Sequence, residues 1–213
     1  MRRQVRQERC NGRSLIVHDD PKAIGSEAFR TLRTNLQFTS PDHELKTILI
    51  TSVGPADGKS TVSANLAVAW AQSDARVALV GCDLRKPVLH KMFHIENAPG
   101  LTGYLTGSAS LKEVIKPSGI NGLDVIPAGP VPPNPAELLQ SKAMANTITQ
   151  LREQYDIVIF DGAPTIAVTD AAVMASQVDG TVLVIRAHQV PKDVVLHAKT
   201  LLDQANARLL GVV

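Results

Sequence analysis

The sequence predicts an α/β fold, a doubly wound and mostly parallel sheet flanked by helices. Three observations carry this expectation. Short apolar runs alternate along the chain with amphipathic or Ala-rich segments, as strands and helices taken in turn would. The composition is 44% hydrophobic but only 3% aromatic, so the core is aliphatic, as suits strands buried on both faces. One strand-like run, Ile48 to Ser52, passes through a tight loop into an Ala-rich helix reaching Trp70.

The 213 residues fit one domain. Residues 1–20 are expected to form a basic, flexible tail, and residues 21–213 the folded domain. Arg2, Arg3, Arg6, Arg9 and Arg13 make that tail either a solvated segment or a weak handle for an anionic membrane surface or an acidic partner. Ser26 to Phe38 reads as a helix with Ser26 as N-cap and Glu27 in the first turn. Phe29, Leu32 and Leu36 line one face, while Glu27, Arg30 and Arg33 gather on another. From spacing alone the second face is simply exposed and charged.

Arg76 to Gly81 is a second buried strand, delivering Cys82-Asp83-Leu84-Arg85-Lys86-Pro87 at its carboxyl end. Leu89 to Phe93 is a short helix, with His90 and His94 at a spacing that can bind metal but with no third ligand in view. Gly100 to Gly107 reads as loop, helix and loop, and Leu111 to Lys116 as another short helix. Leu123 to Pro127 is a third strand, followed by the stiff loop Gly129 to Pro135, expected either to rim the site or to serve as a ligand for a peptide-binding module, and then by a helix opening at Ala136. Asp156 to Asp161 is a fourth strand, apolar until its final carboxylate. Asp170 leads a helix through Ala175, and Gly180 to Arg186 is a fifth strand. Pro191 to Asn206 is a helix, and Leu209 to Val213 begins a sixth strand. The chain stops within that strand, so further residues are expected beyond it.

The chemistry centres on Pro55-Ala56-Asp57-Gly58-Lys59-Ser60-Thr61. Backbone N–H groups of such a loop, with the helix N-terminus behind them, form a concave anion site. Lys59 supplies a point charge for the β- and γ-phosphates, and the Ser60 hydroxyl is placed to ligate Mg²⁺. Gly58 lets phosphate approach the backbone with no Cβ in the way. Val53 stands at the first position of the motif, where Gly or Ala is usual. Because ligands bind outside the carboxyl ends of strands in open α/β sheets, Asp83 and Asp161 are placed to meet the metal. Arg85 and Lys86 are positioned to touch phosphate or an acidic partner, or to form salt bridges within the loop.

A net charge of +2 gives no field that would draw nucleic acid. Cys10 and Cys82 make no disulfide framework and are expected to be reduced. No run approaches ~20 apolar residues and no secretory signal opens the chain, so a cytoplasmic location is expected.

Taken in order, Ser26–Asn35, Pro55–Thr61, Asp83–Pro87, Pro132–Leu139 and Val158–Asp161 through Asp170-Ala171 resemble one family. It is the bacterial tyrosine kinases that regulate capsule and exopolysaccharide synthesis. The resemblance runs from about Pro21 to Val213. It implies a P-loop NTPase fold and transfer of the γ-phosphoryl of ATP, with Mg²⁺, to tyrosine-containing proteins, chiefly to tyrosines of the kinases' own tails. It implies nucleotide binding by Pro55 to Thr61, a metal site of Ser60, Asp83 and Asp161, and catalytic roles for Lys59, Asp83, Asp161 and Arg85. Asp161 matches the Walker B carboxylate, and Asp83 the second aspartate of the family's additional Walker motif. Glu27, Arg30 and Arg33 match a Glu-x-x-Arg-x-x-Arg oligomerisation motif that holds subunits in a homo-oligomeric ring. The resemblance also implies a membrane-embedded activator whose cytoplasmic segment binds the kinase. With no spanning segment, this chain is similar to the separate, cytoplasmic type, held at the inner face of the membrane by that partner.

The chain departs from the family at Gly81, where an aspartate is usual, at Ala56, where a glycine is usual, and at Gly162-Ala163 in place of Thr-Pro. Losing the carboxylate at position 81 points to a weakened kinase, or to a nucleotide-gated ring-assembly module with little kinase activity. Only Tyr104 and Tyr155 are present, so no tyrosine-rich tail is seen. A positioning ATPase of the plasmid-partition or division-site type would carry a signature lysine early in the loop, where this chain has Gly54.

Overall fold

The computed structural model of the chain describes residues 15–39 and 44–213. Helices α1 (Ile16–Asp19) and α2 (Ile24–Phe38) precede β1 (Thr47–Ser52) and α3 (Lys59–Ala71). After β2 (Val77–Gly81) come three short helices, α4 (Leu89–Met92), α5 (Gly100–Leu105) and α6 (Leu111–Val114), and the short strand β3 (Lys116–Pro117). Then follow β4 (Leu123–Ile126), α7 (Pro135–Gln140), α8 (Lys142–Gln154), β5 (Ile157–Asp161) and α9 (Asp170–Ala175). The chain closes with β6 (Gly180–Val184), α10 (Lys192–Gln204) and β7 (Leu209–Val212).

The seven strands form one sheet in the order β3-β4-β2-β5-β1-β6-β7, parallel except for β3 against β4. Strands β1, β2, β5 and β6 are buried at every residue, which explains why their sequences read as continuous apolar runs. One aliphatic core lies between the sheet and α3 with α1 and α2, and a second lies on the opposite face. Helix α3 is buried almost all round and carries little polar periodicity; its alanines let it sit close against the strands.

Three expectations are corrected. The tail does not extend to residue 20: Ile16–Asp19 is helical, and Val17 is fully buried, donating its N–H to Asn65 Oδ1 at 3.1 Å. Ser26 is not an N-cap, because α2 begins at Ile24 after Ala23. Its buried hydroxyl instead donates toward Asp20 O at 2.6 Å and Ile16 O at 3.1 Å, tying α2 to α1. The sheet also holds a strand that the pattern does not show, β3 at the edge, where a proline costs no ladder bond. The arginines at positions 2–13 and Cys10 lie outside the described residues.

Strand β1 lies between β5 and β6, and the chain leaves β1 through α3 to reach β2 on the far side of β5. This crossing opens a crevice at the carboxyl ends of β1, β5 and β2, where an open α/β sheet binds its ligands.

Candidate active site

The phosphate loop is set by its own hydrogen bonds. Ser52 Oγ donates to Gly54 O at 2.7 Å, and Gly54 N–H donates to Asp57 Oδ2 at 2.7 Å. Ala56 and Gly58 both take positive φ, 66° and 102°. The second is the left-handed turn that starts α3, and there glycine carries no Cβ penalty. Val53, at the motif's irregular first position, is buried and donates its N–H to Val184 O of β6 at 3.3 Å, which anchors the loop to the sheet.

Three charged groups meet where the strands end. Lys59 Nζ lies 2.9 Å from Asp83 Oδ2 and 3.8 Å from Asp161 Oδ1, and it donates to Ser60 Oγ at 3.2 Å. All three side chains are buried, Asp161 at 1% exposure. Burial works against the Lys59 ammonium, but the carboxylates of Asp161 and Asp83 outweigh it and hold Lys59 above its ordinary range. Burial pushes the Asp161 carboxyl up, and Lys59 and the Ser60 and Ser63 hydroxyls only partly restrain it, because one cation serves two acids. Asp83 is fixed from behind, accepting Lys86 N–H at 2.9 Å. Cys82 between the strands is a fully buried free thiol, held well above its ordinary pKa by burial and then by the two carboxylates. It is an inert core residue.

Two carboxylates and one hydroxyl around a single ammonium leave the cluster one positive charge short. Hard oxygen donors of this kind suit a small divalent cation that keeps water and phosphate oxygens as its other ligands. Among the described residues no group of three His, Cys, Asp or Glu side chains gathers to hold a metal, so His90 and His94 form no such site. Asp83, Asp161 and the Ser60 hydroxyl fit a divalent cation of that kind.

Arg85 lines the same cavity, but its guanidinium is turned to Asp170 at the start of α9, with bonds of 2.9 and 3.2 Å. Neither reading of the loop describes Arg85 as it stands: its salt bridge is made, but to Asp170 of α9 rather than within the loop. Glu27 and Arg30 pair at 2.9 Å on the outer side of α2, while Arg33 donates to Ala69 O of α3 at 2.7 Å. Sequence reading missed Ser63, whose hydroxyl donates to Asp161 Oδ1 at 3.2 Å and to Lys59 O at 2.9 Å. Its one signal is its place a helical turn beyond Lys59, on the same face. It also missed Arg186, which follows β6 into the cavity. The cavity measures about 840 Å³.

A phosphate loop between a buried strand and helix, facing carboxylates at the carboxyl ends of two neighbouring parallel strands, defines a P-loop NTPase, which binds a nucleotide with a metal. The family model for ParA, described as an NUBPL iron-transfer P-loop NTPase, matches residues 45–213. Tyrosine-protein kinase YwqD of Bacillus subtilis is 43% identical over 201 residues, covering 94% of this chain and 85% of YwqD. The solved structure of the chimerical protein CapA2B2 superposes with a TM-score of 0.90 at 41% identity, over 93% of this chain and 87% of that one. The kinase domain of the Escherichia coli tyrosine kinase ETK gives a TM-score of 0.90 at 38% identity, over 93% and 78%. Within the full-length E. coli protein the match spans 27% of its length. The chain belongs to the bacterial tyrosine-protein kinases. No helix among the described residues is long and apolar enough to cross a membrane.

Proposed function

We propose that the chain transfers the γ-phosphoryl group of ATP, with Mg²⁺, to tyrosines of protein substrates, and that it thereby regulates capsule or exopolysaccharide synthesis. The observation that carries this reading is the Lys59 ammonium shared between Asp83 and Asp161 at the mouth of the phosphate loop. Bound MgATP supplies the phosphoryl group: the acceptor's phenol oxygen forms the new bond to phosphorus, the bond to the β-phosphate oxygen breaks, ADP leaves, and the phenol proton is lost. The protein's own part is positioning and charge. The loop amides and Lys59 hold the β- and γ-phosphates, while the Ser60 hydroxyl, Asp83 and Asp161 hold the metal. Ser63 and the Lys86 amide keep the two carboxylates aimed. Because the transition state is loose, the acceptor needs little help from a base, and glycine at position 81 is compatible with transfer.

A separate membrane-embedded activator, binding through its cytoplasmic segment, would hold the kinase at the inner face of the membrane. The Glu27, Arg30 and Arg33 face of α2 would join subunits in a ring. An assembly module without catalysis finds no support in YwqD and ETK, which are named as kinases.

The test is ³²P transfer from ATP to a glutamate–tyrosine copolymer, with Mg²⁺ and the activator's cytoplasmic segment present. Transfer well above a Lys59→Met control, and abolished by EDTA, is expected. Transfer no greater than that control would overturn the reading.

A further inference from the structure

The cavity has two apolar walls, one on each side of the phosphate loop. One is Ala163, Pro164, Ala167 and Val168, in the segment after β5. The other is Val62, Val88 and Met92, on the side of β2 and α4. The two walls are not equivalent. The segment after β5 folds back over β1: Thr165 N–H donates to Ser52 O at 2.8 Å and Ile166 N–H to Val53 O at 3.3 Å. Lys59, which reaches for the terminal phosphates, leans the other way, toward Asp161 on β5 and Asp83 beyond β2. A terminal phosphate held by Lys59 would therefore face the β2 side, leaving the rest of a nucleotide to run back toward β6 and Arg186. The wall of Val62, Val88 and Met92 lies past the terminal phosphate, where the phosphoryl group must be received.

Those three side chains are the lip of the core between the sheet and α3. Met92 is 5% exposed within it, and Val62 and Val88 are half-buried against it. Val62 sits one helical turn after Lys59 on α3, so apolar surface stands directly beside the charged cluster. Phosphate and metal binding have no use for such a surface. An aromatic ring does: it buries a large apolar face, and a thioether makes a favourable contact at its edge.

We propose that Val62, Val88 and Met92 seat the acceptor tyrosine's ring, with Lys86 as the rim cation that meets acidic residues flanking that tyrosine. The proposal rests on the kinase reading. A phenol hydroxyl reaches further from its backbone than a serine hydroxyl, so a ring lying on this wall presents oxygen to the charged cluster while a serine falls short. Lys86 is exposed, and its ammonium joins no ion pair among the described residues, whereas its neighbour Arg85 is committed to Asp170.

The test uses the full chain with MgATP, the activator segment and a glutamate–tyrosine copolymer. Val62→Thr and Val88→Thr keep side-chain volume but wet the wall, and Met92→Gln does so at the ring's edge. Each is expected to raise the KM for copolymer about tenfold, the scale of a spoiled apolar contact. The Kd for a fluorescent ATP analogue stays at the wild-type value, and Met92→Leu restores the wild-type KM. Lys86→Glu raises the copolymer KM at low salt, with the difference shrinking as salt is added. Wild-type KM values in both threonine variants, with transfer intact, would overturn the acceptor seat and leave the kinase reading standing. A wild-type chain that binds the ATP analogue yet phosphorylates no tyrosine would overturn the kinase reading itself, and the seat with it.

Discussion

Gly81 stands opposite Asp161 in the parallel ladder of β2 and β5, so a side chain at position 81 would project from the same face as the Asp161 carboxylate. A Cβ built there meets Ala128 N at 3.0 Å and Ala128 Cβ at 3.5 Å. Glycine thus does two things at once: it puts no second carboxylate beside Asp161 and lets the chain after β4 close against β2. The two effects separate experimentally. Gly81→Ala presses on Ala128 without adding charge and is expected to lower stability by about 1 kcal/mol. Gly81→Asp presses equally and restores a carboxylate. If position 81 limits the rate, its kcat for tyrosine transfer should exceed that of Gly81→Ala by ~10²-fold, the lower end of general-base help. Equal kcat values in the two variants would show that the missing aspartate does not set the rate.

Lys59 is the only cation in contact with Asp83 and Asp161 among the described residues, and its loss leaves both acids buried together. Lys59→Met should therefore lose nucleotide affinity and also destabilise the free protein, by about 3 kcal/mol near neutral pH. The sign of the pH dependence follows from Asp161, whose native pKa is raised by burial. Such a group binds protons more readily in the folded state, so stability falls as pH rises from the ordinary carboxylate range through the raised pKa. The variant should lose most at about pH 7.5 and recover toward wild type at about pH 5. Calorimetric Tm values at the two pH values check this, and a deficit that does not shrink on acidification would contradict it.

The convergence of Lys59, Asp83 and Asp161 was legible in the sequence because Asp161 ends a strand while Asp83 and Lys59 closely follow two others, and parallel strands deliver their carboxyl ends to one edge. The strands themselves were legible where burial on both faces left an unbroken apolar run, as in Ile157–Asp161. What was hidden depends on contacts distant in sequence. Nothing local marks Ser26 as the tie between α1 and α2, Ser63 as a donor to Asp161, or Asp170 as the holder of Arg85. Helix α8 was not delimited for a different reason. Ser141 ends α7 and caps α8 by accepting Met144 N–H at 3.2 Å, so no loop separates the two helices.

Asp170 is fully buried and its carboxylate takes both bonds from Arg85, whose side chain is 44% exposed. The cost of separating them is therefore unequal. Arg85→Ala strands a buried charge and should lower stability by about 2 kcal/mol, below the range for a wholly buried pair because water reaches the arginine side. Asp170→Asn keeps one acceptor and the shape of the site, so Arg85 stays nearby but loses its fixed direction. Its kcat should fall about tenfold with nucleotide Kd near wild type. A double-mutant cycle on Tm and kcat reads the coupling, and additive effects on both would show that the pair does not act as a unit.

Asp179 holds the start of the central sheet from the end remote from the site. It accepts Lys46 N–H at 2.9 Å, Thr47 N–H at 2.8 Å and Arg152 Nη1 at 2.6 Å. Burial opposes its charge, but the Arg152 guanidinium and these donors outweigh burial and hold its pKa below the ordinary carboxylate value. Its contribution is present above the unfolded pKa of about 3.9 and is lost as pH falls through the lowered native value. Asp179→Asn should cost about 2 kcal/mol at neutral pH, the scale of charge-assisted bonds, with activity per folded molecule unchanged. The difference in Tm from wild type should narrow only below about pH 4.

The two ends of the charged face on α2 have different attachments, and this separates assembly from folding. Glu27 is 70% exposed in its side chain and among the described residues pairs only with Arg30, an exposed contact worth little to stability. Arg33 instead donates to Ala69 O within the same subunit, pinning α2 to α3. If this face joins subunits in a ring, Glu27→Ala should leave stability within about 0.5 kcal/mol of wild type while shifting the species seen by light scattering to the monomer. Arg33→Ala should produce the same shift and also lower stability by about 1.5 kcal/mol, because the Ala69 carbonyl loses a charged donor. An oligomer that persists in both variants would remove this face from the interface and leave Arg33 with a role in folding alone.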